Sequence, residues 1–262
     1  MANPLWRFFG IRTTALLFFA YLYIPIVILI ALSFNENRTA TIWTGFSTQW
    51  YGAVLANDDI LNAARNSLIV ASAATLIATV AATAAALGMS RARFKAQDAI
   101  GGLIALPLVV PEIVTAVATL LFFVIIGIRL GLASLIIAHT VFCIPFAYLP
   151  VRARLEGMDP TLQEAAADLY AAPWATFRRI TLPLLWPGIL SGAMLAFIIS
   201  LDDFVISYFV AGAGSTTLPV YIFGMIRIGI TPEVNAVSSM MLVVSILFVT
   251  LSYLAGRMRR AS

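Results

Sequence analysis

Three carboxylates stand where a chain this apolar can least accommodate them. Glu112 interrupts an otherwise uncharged run from 99 to 128, and Asp202 and Asp203 close another that begins at 180. An ionised carboxylate in hydrocarbon costs about 3 kcal/mol on insertion scales, so such groups face a cavity, a partner or a permeating ion. The chemistry on offer is cation binding: carboxylates at that depth replace the hydration that an ammonium group loses. A few separated carboxylates, rather than a tight cage, attract a polyvalent cation and still release it. Tyr208 and Tyr221 could add cation–π contacts worth about 0.5–2 kcal/mol each, or serve as interfacial anchors. The plainer readings are that the Asp pair marks a membrane boundary and that Glu112 is neutral or paired within a bundle. Asp203 is expected to be structural rather than part of a path, and His139, beside Thr140, is expected to be a packed, hydrogen-bonded histidine.

Other chemistries are excluded by what the chain lacks. Adjacent Asp202 and Asp203 point about 100° apart on a helix and cannot form a shared-proton protease dyad. A P-loop needs Gly-Lys-[Ser/Thr], and the only lysine, Lys95, follows Phe94. One histidine and one cysteine, Cys143, exclude an HExxH zinc centre, a cysteine cluster and an internal disulfide. An ion-coupled secondary transporter with Glu112 and Asp202 as a proton relay stays open at this point.

The second stretch that invites a function is the polar interruption from Asp159 to Pro183. Asp159 is placed to cap a helix with Pro160 at its first position. Leu162, Ala165, Ala166 and Leu169 then follow i, i+3, i+4, i+7, which lays one apolar stripe along a helix with small residues that allow close approach. Glu164 lies on the exposed side of those alanines. Pro173 is expected to start a second helix and Pro183 to end it. A helix lying on a membrane surface is the competing reading.

Both features must be held by membrane helices. With 61% hydrophobic residues, 11% charged and a mean hydropathy of +0.98, the 262 residues cannot cover a soluble domain with polar surface. About 20 apolar residues cross the hydrocarbon core, and the uncharged runs 13–35, 66–90, 99–128, 130–151, 180–201 and 234–256 give six spans in one all-α membrane domain. The first run is too long for a signal-peptide core and reads as a retained anchor. Pro107 and Pro111 permit a bend in the third. At 1.5 Å per residue, counting from Asp98 and from Pro187 puts Glu112 and Asp202 at one depth, about 20 Å from one face.

Charge sets the orientation. Arg7, Arg12, Arg91, Arg93, Lys95, Arg152, Arg154, Arg178, Arg179, Arg257, Arg259 and Arg260 fall on one side, and only Arg38, Arg65, Arg129 and Arg227 on the other. The positive-inside rule places both termini and the 153–185 loop in the cytoplasm. The net charge of +4 is a topology signal and calls for no nucleic-acid partner. Outside, Trp43, Trp50 and Tyr51 are expected at the membrane interface, Asp58 and Asp59 in solvent, and the apolar segment 218–230 as a short re-entrant or interfacial helix.

The residues Glu164-Ala165-Ala166, followed by Phe177, Ile180, Leu182 and Pro183, resemble the EAA loop of ABC importer permeases. The resemblance implies that Glu164, Ala165, Ala166, Leu169, Tyr170, Phe177, Ile180, Leu182 and Pro183 form a helix pair seated in a cleft of an ATPase subunit. The family places glycine where this chain has Tyr170. Either the turn keeps a positive φ and bears the strain of a Cβ, or it is rebuilt around the ring, the construction favoured because bulky residues at positive φ are uncommon. Ser200 to Ser207, with Thr217-Leu218-Pro219, Pro232 to Ala236, Tyr23-Ile24-Pro25-Ile26 and Ser33-Phe34-Asn35, is similar to the second permease subunits of spermidine/putrescine importers. That similarity implies a type I importer permease in a bacterial inner membrane, not itself an enzyme. It also implies a second, homologous permease, two ATPase subunits that bind ATP and Mg, and a periplasmic polyamine-binding protein. This chain would carry no cofactor, and its substrate would be a polyamine or another amino compound.

Overall fold

A computed structural model describes residues 9–39, 42–91, 95–159 and 161–258. Pro160, Arg7, Arg93, Arg259 and Arg260, which entered the capping and charge arguments, lie outside them. Twelve α-helices follow in order: α1 Phe9–Leu32, α2 Gln49–Ala56, α3 Asp58–Arg91, α4 Gln97–Val109, α5 Glu112–Ile125, α6 Leu132–Glu156, α7 Thr161–Asp168, α8 Pro173–Thr176, α9 Leu182–Asp202, α10 Val205–Val210, α11 Leu218–Ile228 and α12 Pro232–Met258. Among the described residues, five helical stretches are long and apolar enough to span a membrane, and a bent pair brings the number to six.

That pair is α4 with α5, and its break is sharper than a proline bend. The second half is bent by 109° from the direction of the first. Val110 and Pro111 between them are extended, with ψ of 133° at both. The physical cause is local: Pro111 offers no N–H and its ring disfavours a helical conformation at the residue before it. The second span also differs from expectation, because α3 starts at Asp58. Asn57 Oδ1 accepts the N–H groups of Asp59 (3.0 Å) and Ile60 (3.3 Å), and exposed Asp58 and Asp59 occupy the first turn, where a helix favours negative charge.

The chain falls into two compact units, one within 1–61 and 222–244, the other within 62–221 and 245–262. In the first, the loop after α1 is built on Asn35, whose enclosed side chain donates to the carbonyls of Ile42 (2.8 Å) and Thr39 (3.3 Å) and accepts from the N–H groups of Thr44 (3.2 Å) and Asn37 (3.3 Å). Trp50 Nε1 donates to the Asn35 carbonyl at 2.7 Å and the Tyr51 hydroxyl meets Ser33 Oγ at 2.7 Å. These two rings therefore brace the loop rather than serve as free interfacial anchors; Trp43 alone of the three is exposed.

In the second unit, α3 presents buried Ala78, Ala82 and Ala86 to a cluster that holds Cys143, Ala147, Tyr148 and Val151 of α6 and Leu185 and Ala196 of α9. Small residues set the distance between α6 and α9. A Cβ on Gly192 would lie 2.5 Å from the Ala147 carbonyl oxygen, and one on Gly188 would lie 2.6 Å from Arg154 Cβ. A second cluster joins Ala116 and Phe123 of α5, Leu135, Ala138 and Phe142 of α6, and Ile206 and Val210 of α10.

Candidate functional site

At the junction of α9 and α10 the chain leaves the helix for two residues, Asp203 and Phe204. Asp203 is extended, and its carboxylate takes up the donors that the restart exposes, accepting the N–H groups of Ser207 (2.8 Å) and Ile206 (3.3 Å). His139, buried on α6, completes the arrangement. Its Nδ1 meets Ser200 Oγ at 2.8 Å, and its Nε2 meets Ser207 Oγ at 3.0 Å and Asp203 Oδ2 at 3.3 Å. Both ring nitrogens are thus occupied, which fits the expected hydrogen-bonded histidine. Buried polar groups are tolerable only when partnered, and here three helices partner one another.

Glu112 opens α5 directly after the break, near enough to Asp203 for the two carboxyl groups to interact. Two carboxylates that close repel unless a proton or a cation lies between them. Asp202, next along the chain, is exposed, while Asp203 beside it is buried. The structure therefore brings together Glu112, Asp203 and, beside them, Asp202. Tyr208 is exposed on α10 and lies tilted against Phe204 with ring centres 5.4 Å apart. Tyr221 is half-buried on α11, its N–H bonded to the Thr217 carbonyl at 2.9 Å. Sequence reasoning missed the roles of Ser200 and Ser207. Their signal was spacing: Ser200, Asp203 and Ser207 follow i, i+3, i+7, one polar face directed at His139.

The second candidate site is the helix pair between α6 and α9. Asp159 Oδ1 accepts the Thr161 N–H at 3.0 Å and its hydroxyl at 2.8 Å, and these bonds hold the Asp159 carboxyl below the usual range. On α7, Ala166 is buried, whereas Glu164, Ala165 and Leu162, and Leu169 just after the helix, are exposed, so most of the apolar stripe is left open. Beyond α7, Tyr170 has φ +54° and is 96% exposed. Its N–H donates to the Ala167 carbonyl (2.9 Å) and that of Ala171 to the Ala166 carbonyl (3.0 Å), the bond pair of a Schellman C-cap. The turn keeps the glycine conformation; the expected rebuilding around the ring does not occur.

A second correction concerns Pro183. Pro173 does start α8, with Ala172 before it extended, but Pro183 ends nothing. Phe177–Thr181 form a π-helical turn that joins α8 to α9 in one helix from Pro173 to Asp202. The Leu182 N–H bonds back to the Phe177 carbonyl, one residue further than in an α-helix. That widened turn relieves the clash a proline ring makes with the carbonyl four residues before it. Phe177 is half-buried against Trp174, ring centres 5.5 Å apart; Ile180 and Leu182 are half-buried and Pro183 is exposed.

Residues 74–261 match the family described as binding-protein-dependent transport system inner membrane component. The spermidine/putrescine transport system permease protein PotC of Haemophilus influenzae is 41% identical, covering 96% of this chain and 98% of that protein. The putrescine transport system permease protein PotI of Escherichia coli K12 is 38% identical over 87% of this chain and 83% of its own. Among solved structures, a bacterial alginate ABC transporter in complex with an alginate pentasaccharide-bound periplasmic protein aligns with a TM-score of 0.70 at 17% identity, covering 93% of this chain and 91% of that one. The inward-facing MetNI methionine ABC transporter gives 0.67 at 20% identity over 76% and 95%. The fold is that of type I ABC importer permeases, transport components rather than enzymes. The chain belongs to the inner-membrane components of binding-protein-dependent transport systems.

Proposed function

We propose that this chain is a permease subunit of an ATP-driven importer of polyamines, paired with a second permease and served by two ATPase subunits and a periplasmic binding protein. The observation that carries the reading is likeness to the spermidine/putrescine permease over 96% of the chain, joined to a set of carboxylates at the break of its third span. Glu112 and Asp202 line the path and meet substrate ammonium groups in turn, while Asp203, whose oxygens are taken by backbone donors and His139, fixes the geometry between them. Tyr208 and Tyr221 add cation–π contacts to the substrate's ammonium groups. The exposed stripe of α7, with Glu164, and the α8 turn dock on the ATPase, which binds the ATP and Mg. Both termini and this helix pair lie in the cytoplasm.

The test is ATP-dependent uptake of labelled putrescine and spermidine by vesicles carrying the complete complex. Glu112→Gln and Asp202→Asn should each lower uptake while complex assembly and basal ATP hydrolysis persist. Normal uptake in both neutral variants would remove the carboxylates from the path. Uptake that follows the proton gradient and survives ATP depletion would instead favour an ion-coupled transporter.

A further inference from the structure

The N-terminal end of α9 has few internal restraints. Pro183 and Pro187, four residues apart, supply no N–H, so two carbonyls of the preceding turn lose their helical donors. The π turn at Phe177–Thr181 adds a register that costs helix geometry, and the Thr181 hydroxyl within it is buried without a partner. A helix so weakened would flex under load from α8 rather than carry it.

A brace comes from α6. Arg154 Nε donates to the Leu184 carbonyl at 2.8 Å, a charge-assisted bond to backbone. Gly188, one turn on, makes room for the arginine stem: a Cβ there would lie 2.6 Å from Arg154 Cβ and 3.1 Å from the Pro150 carbonyl oxygen. The same helix pair closes again at Gly192 against Ala147, and at His139 against Ser200. We propose that Arg154 is a positioning residue for coupling: it makes the C-terminal end of α6 move as one piece with the coupling end of α9, so that displacement of α7 and α8 reaches His139 and the carboxylates. The inference rests on the permease reading above, and one of its tests does not depend on the substrate.

Spin labels at exposed Ala153→Cys and Arg179→Cys, in a Cys143→Ser background of the complete complex, report the distance between the two ends. In the parent that distance should be the same without nucleotide and with ATP–vanadate trapped. In Arg154→Ala it should shift between those states, and ATP hydrolysed per putrescine imported should rise about 5-fold, the low end of measured coupling free energies. Hydrolysis without loaded binding protein is subtracted, so that the ratio reports stimulated turnover rather than basal hydrolysis by damaged complexes. Arg154→Lys should keep the parent behaviour, and Gly188→Ala, which displaces the arginine stem, should reproduce the loss if Arg154→Ala fails to assemble. A parent distance that shifts on trapping, or unchanged distance and ratio in both loss variants, would overturn the proposal. Absence of putrescine uptake in the parent would count against the polyamine reading alone, because the distance measurement still decides the role of Arg154.

Discussion

Replacing Tyr170 with glycine should stabilise the turn between α7 and α8. The residue sits at φ +54°, where a Cβ costs about 1–2 kcal/mol. Glycine removes that cost but adds about 0.4–1 kcal/mol of freedom to the unfolded chain. The ring is 96% exposed, so its loss removes no packing within the chain. The balance is a gain of about 0.5–1 kcal/mol, or about 2- to 5-fold in a local opening equilibrium. Local opening, rather than global melting, is the proper readout, because α7 makes few buried contacts. Amide exchange at Ala171, whose N–H bonds the Ala166 carbonyl, should therefore slow about 2- to 5-fold in Tyr170→Gly. Tyr170→Ala should leave it unchanged, since alanine keeps the Cβ. Faster exchange in Tyr170→Gly in the isolated chain would mean that the ring, not the backbone, holds the turn. If the glycine variant is slower alone but couples ATP hydrolysis less well in the complex, the ring is held in place for the ATPase.

Gly192→Ala should be strongly destabilising, by about 1–3 kcal/mol, because the added methyl meets the Ala147 backbone rather than a movable side chain; a melting temperature equal to wild type in detergent would contradict the close packing of α6 on α9. Glu164→Lys should leave the chain inserted but abolish stimulation of ATP hydrolysis by loaded binding protein, and normal stimulation would take α7 out of the coupling surface. In a Cys143→Ser background, Asn57→Cys should react with an impermeant maleimide added outside intact cells and Lys95→Cys should not; the reverse pattern would invert the topology.

The spans were legible because charge is so scarce that its gaps delimit them, and the membrane cost of charge made Glu112, Asp202 and Asp203 conspicuous. What composition could not supply was geometry that depends on partners far apart in sequence. His139 reads as an isolated polar residue until Ser200 and Ser207, about sixty positions later, are known to face it. Pro183 follows the rule for a helix stop, and one inserted residue in a π turn cancels that rule. Tyr170 follows the rule against positive φ, and the rule yields because the Schellman bonds of Tyr170 and Ala171 fix the backbone whatever the side chain. These exceptions share a location and a direction. Two of them lie within fourteen residues of each other, on a segment whose apolar stripe is largely exposed. Backbone strain persists where surrounding structure over-determines it, and it gathers where elements must move or dock. A strained cap that ends α7 and a widened turn that leads α8 into α9 both lie on the segment that runs into a span ending at Asp202, beside the capping Asp203. On the permease reading proposed above, these departures from sequence rules trace the line from docking surface to carboxylates that transport coupling requires.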